Sequence, residues 1–155
     1  MRVRLLMLVL AALAAAVVVP TASAAGPVVA NGGGIGSVDG ATPFSHFGFG
    51  VTFTGATARG HFNCLMAGNA AFPGFEPLMQ VSGSVTGGTA DPVAGTAEFT
   101  GSGTLNLGPS GRMPAQFVVR VREGGAGVGK LHLTVIVPPF PVPEETVLAG
   151  RINVH

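Results

Sequence analysis

The sequence predicts an all-β fold: an antiparallel meander of seven to eight strands, closed into a barrel or stacked as a two-sheet sandwich, behind a cleaved signal peptide. Three observations carry this. Apolar and polar residues alternate along most of the chain beyond residue 25, the pattern of half-buried strands. Turn residues, glycine above all, interrupt the alternation at short intervals. No segment after the N-terminal stretch shows the 3.6-residue period of an amphipathic helix. Short connections favour a meander, and closure is attractive because it removes exposed edges.

The N-terminus predicts an address. Arg2 and Arg4 form a basic start, Leu5 to Val19 is apolar, Pro20 ends the run, and Ala22-Ser23-Ala24 has the small-x-small form of a cleavage site. Residues 1–24 are thus expected to be a signal peptide and 25–155 a single all-β domain, secreted to the periplasm or the extracellular space. The apolar run is shorter than the ~20 residues that cross a bilayer, so no membrane span is expected in the mature chain. No cysteine follows the cleavage site for lipid attachment, and the arginines are not adjacent as twin-arginine export requires.

Removing Arg2 and Arg4 leaves six basic and seven acidic residues. A nearly neutral chain without runs of like charge lacks the electrostatic footprint of a nucleic-acid partner. Cys64 is the only cysteine, so no intrachain disulfide or cysteine-ligated structural zinc is available. Its face-mates Phe62 and Met66 favour a buried, inert thiol, with an interchain bridge as the alternative.

The strands follow in order. Pro27 to Ala30 reads as a short first strand, and the glycines of 31–36 as a tight bend. Phe44 to Phe53 places Phe47, Phe49, Val51 and Phe53 on one face, with Ser45 on the same side. Thr54-Gly55-Ala56 turns the chain, and Ala58 to Met66 returns with Phe62, Cys64 and Met66 inward. This hairpin sets His46 opposite Leu65. Residues 67–77 form an apolar loop carrying Phe72 and Phe75 around Pro73-Gly74. Leu78 to Thr86 alternates with Val81 and Val85 inward, and Gly87-Gly88-Thr89 reads as a turn. Val93 to Leu107 places Ala97, Phe99, Gly101, Gly103, Leu105 and Leu107 on one face, its mid-run glycines suggesting a bulge or a barrel corner. After Gly108-Pro109-Ser110-Gly111 comes a hairpin over 115–137, with Phe117, Val119 and Val121 facing Leu131, Leu133, Val135 and Val137. A polyproline-like connector over 138–143 leads to a last strand with Leu148, Gly150, Ile152 and Val154 on one face.

The order GGG (32–34), FGFGV (47–51), GHF (60–62), VSG (81–83), FTGSGTLN (99–106) and FVVRVRE (117–123) resembles a bacterial secreted all-β domain family of unknown function. That glycine-rich module occurs alone or at the C-terminus of larger exported proteins. The resemblance covers most of residues 28–137 and implies a fold and an address, with no catalytic residue to carry over. Where family members have an Asp-rich Pro-Gly turn after the last of these strands, this chain has Glu123-Gly124-Gly125-Ala126-Gly127, so a calcium role for that turn is not carried over.

The chemical motifs are few. Gly124-Gly125-Ala126-Gly127-Val128-Gly129-Lys130 matches a phosphate-binding loop, but Leu131 stands where a hydroxyl should hold magnesium. The residues after the lysine alternate like a strand, whereas that loop needs a helix N-terminus. Nucleotide binding is rejected. His46 and His61 are expected about 13 Å apart along their hairpin, too far to share a metal. No G-x-S-x-G elbow occurs. The acids Glu76, Asp91, Glu98, Glu123, Glu144 and Glu145 are scattered and expected to be solvated, not paired as glycoside hydrolysis requires. No catalytic residue, metal site or cofactor is assigned.

Two functional readings follow. The first is a non-catalytic secreted module with a structural or interaction role toward an unknown protein or surface partner. The second is a carrier or isomerase-like barrel for a small apolar ligand. Its cavity would be lined by Phe47, Phe49, Phe62, Phe99 and Phe117, with Phe72 and Phe75 as a lid and Arg120 or His132 near the mouth.

Overall fold

A computed structural model describes residues 26–66 and 78–155. The expected signal peptide, residues 1–24, and the loop phenylalanines Phe72 and Phe75 lie outside the described residues. The rest is an antiparallel all-β sheet. Its strands are β1 (Val28–Ser37), β2 (Ser45–Thr54), β3 (Thr57–Met66), β4 (Met79–Asp91), β5 (Thr96–Asn106), β6 (Arg112–Arg122), β7 (Lys130–Val137), the two-residue β8 (Phe140–Pro141) and β9 (Glu145–Val154). A single turn of 3-10 helix, Gly108–Ser110, joins β5 to β6. Among the described residues no helix is long and apolar enough to cross a membrane.

Strands β1 to β6 form a meander, each paired with the next, and β6 pairs on to β7. Strand β9 then inserts between β1 and β7, so the hydrogen bonding is ring-like. The last joint is the shortest. Only Lys130↔Thr146 and Leu131↔Glu145 pair β7 with β9. The glycine loop after β6 completes it: Gly124 and Ile152 exchange two backbone hydrogen bonds, Gly127 N–H donates to Val147 C=O, and Val147 N–H donates to Gly129 C=O. The phosphate-loop look-alike is thus a backbone clasp leading into a strand.

Alternation places the core as the sequence predicts. Phe47, Phe49, Val51 and Phe53 on β2 are buried, as are Phe62, Cys64 and Met66 on β3 and Val81 and Val85 on β4. Ala97, Phe99 and Leu105 on β5, Phe117, Val119 and Val121 on β6, and Leu131, Leu133 and Val135 on β7 complete the wall. Even the first hairpin's register holds, with His46 opposite Leu65. Cys64 is buried and outside any disulfide.

Four expectations are corrected. The glycines of 31–36 do not bend the chain but lie within ten-residue β1. They serve close approach there: a Cβ at Gly32 would lie 2.9 Å from the Phe49 ring, and one at Gly36 would collide with the Glu145 carboxylate. Gly87-Gly88-Thr89 is not a turn. A bulge at Thr86 lets β4 continue to Asp91, whose Oδ1 accepts from Val93 N–H and Ala94 N–H, each at 2.9 Å, and so makes the turn four residues later. Val137 is 49% exposed, because the register slips between Gln116 and Phe117 and releases it from the inner face. Leu148 gives its inward place to Val147, because a second slip, opposite Ile35 and Gly36, reverses the phase of β9. A slip of one residue exchanges the faces of everything beyond it.

Candidate functional site

The five expected phenylalanines come from four strands, all are buried, and four of them, one from each strand, meet ring to ring. Phe49 and Phe99 have ring centroids 5.5 Å apart, Phe62 and Phe99 6.0 Å, and Phe62 and Phe117 5.4 Å. These tilted and edge-on arrangements are the favourable ones for aromatic pairs. None of the five exceeds 5% exposure. The inner glycines do not hold room open beside them: a Cβ at Gly101 would collide with the Phe117 ring, which already occupies that position.

Arg120 and His132 stand on the other side of the sheet. They are directly paired across β6 and β7, and Arg120 Nε donates to Glu98 Oε2 in an exposed ion pair. Such a pair contributes little to stability, roughly 0–1 kcal/mol. His46 and His61 are likewise on the outer face, opposite Leu65 and Gly50 respectively.

The buried interior also contains a polar group that sequence reasoning missed. Glu145, expected to be solvated, is fully buried at the first position of β9. Its Oε2 accepts a hydrogen bond from the Ser45 hydroxyl on β2, while Oε1 has no partner among the described residues. Gly36 on β1 packs against the carboxylate. Burial pushes the Glu145 carboxyl up to about 7, the Ser45 hydrogen bond pulling the other way. The same burial, reinforced by the Glu145 charge, pushes the neighbouring Cys64 thiol far up, and Ser45 is within hydrogen-bonding reach of it. A thiol held protonated is a poor nucleophile. The one signal in the sequence is the Glu145, Val147 alternation, masked because Ile152 and Val154 set the opposite phase across the slip.

On the outer face, a shallow groove of about 560 Å³ runs over β4 to β6, lined by Gln80, Ser82, Thr104, Asn106 and Arg112. Gln80, Asn106 and Arg112 are direct cross-strand neighbours. Both amides are oriented: Gln80 Nε2 donates to Asn63 Oδ1, and Asn106 Oδ1 accepts from Gly108 N–H.

Comparison of the chain with protein-family models, with curated proteins and with solved structures found no match.

Proposed function

We propose that this chain is a non-catalytic secreted β-module, a closed barrel filled by its own side chains, acting through its outer surface on a partner. The observation that carries this reading is the ring-on-ring packing of Phe49, Phe62, Phe99 and Phe117 at no more than 5% exposure. An eight-stranded barrel is just wide enough either to be filled or to hold one small ligand, and rings packed against one another support the filled alternative. The single sheet with its returning hydrogen bonds favours a barrel over a sandwich. Kinship with the secreted bacterial module family belongs to the same reading. Its motifs at 32–34, 47–51, 60–62, 81–83, 99–106 and 117–123 fall on the successive strands β1 to β6, the last running one residue past β6. Export is supported by the basic, apolar and small-x-small order of residues 2–24.

For the interaction role, the oriented amides of the outer groove supply directed donors and acceptors without a buried nucleophile or converging acids. Titration with an environment-sensitive apolar dye tests the filled interior. A filled barrel gives no saturable one-to-one enhancement of emission. Saturable binding that a Phe49→Ala change alters would instead establish the carrier.

A further inference from the structure

We infer that Glu145 is a proton-operated latch on the β7–β9 joint of the ring: neutral, it lets the joint stay shut, and ionised, it drives the joint open. Three observations of geometry place it there. Glu145 forms one of the only two residue pairs between β7 and β9, opposite Leu131. It is the one charged side chain among the fully buried described residues, with Oε1 left without a partner. And the joint it occupies is the shortest in the ring, the others pairing over seven to eleven positions.

A carboxylate deprived of water and given one hydroxyl is far from compensated. The nearest route to water is to part the two-pair ladder beside it together with the two backbone bonds that Val147 makes to the glycine loop, because every other strand pair in the ring runs over seven or more positions. The described groups around the carboxyl do not offset the charge. Strand β2 contributes the Ser45 hydroxyl, β1 contributes Gly36, and β7 contributes apolar Leu131. Strand β3 contributes Cys64, whose thiol stays protonated. The nearby cation, Lys130, is turned away, its Nζ donating to Thr146 Oγ1 at 2.6 Å.

The sign follows from linkage. The closed carboxyl titrates near 7 and the water-exposed one near 4.5. Closure is therefore favoured in full below pH 4.5, weakens as pH rises through this window, and changes no further above 7.

Cys64, the only cysteine, is a built-in probe, since it is buried beside the latch. Its labelling by a dipyridyl disulfide is measured from pH 4.5 to 8.5 and divided by that of a model thiol at each pH. The ratio should rise by roughly two orders of magnitude between pH 4.5 and 7 and then level off, and Glu145→Gln should remove the rise. A flat profile in the wild type, or the same rise in the variant, overturns the inference. Hydrogen exchange on the wild type alone decides the matter if the variant fails to fold. Corrected for intrinsic rates, the amides of Leu131 and of 145–147 should accelerate over that window while those of β3 and β4 do not. Uniform acceleration would mean whole-molecule unfolding and no latch.

Discussion

Phe99 touches Phe49 on one side and Phe62 on the other, and none of its surface reaches solvent. In a close-packed interior, removing such a ring costs its transfer energy and leaves a hole that neighbours only partly close. Phe99→Ala should therefore lower unfolding stability by about 3–5 kcal/mol, read from the urea midpoint at an unchanged slope. A ring lining an empty cavity would cost well under that, having fewer neighbours to lose. The identity of this residue as core was legible, because β5 alternates without a slip between Ala97 and Phe99. Glu145 was not. Its chemistry speaks for solvent, and only the slip opposite Ile35 and Gly36 turns it inward.

At the scale of elements, hairpins were the legible part. Local turns set the register of β2 with β3 and of β6 with β7, so counting from Gly55 found His46 opposite Leu65. Runs of glycine are ambiguous because two uses look alike in sequence. In a turn, glycine supplies positive φ, as at Gly55 (+58°) and Gly95 (+64°). At Gly32 and Gly36 of β1 and at Gly129 of the β6–β7 clasp it admits a close neighbour instead. A Cβ on Gly129 would lie 2.5 Å from the Gly124 carbonyl oxygen and 2.8 Å from Val147 Cγ2. Gly129→Ala should accordingly cost about 1–3 kcal/mol by overpacking the clasp. Gly48→Ala is the matched comparison, on β2 with nothing within 4 Å of the added atom. It should be neutral, or stabilising by up to about 1 kcal/mol through a less flexible unfolded chain. Equal losses from both changes, measured by thermal and urea unfolding, would remove the clasp's special role.

The whole molecule depends on what no local pattern shows. Nothing near residues 145–154 announces that this strand returns to lie between the first strand and the seventh, for such pairing is decided by long-range burial. The same return joins a clasp of glycines, a two-pair joint and a buried acid in one region. The proposed reading, an exported barrel with a filled interior, has one direct consequence. Native mass spectrometry of the chain recovered from its own culture medium, without reductant, should show a bare species with the mass of residues 25–155 and nothing bound. A stoichiometric added mass of small-molecule size would contradict the filled barrel and make the phenylalanine interior a binding site.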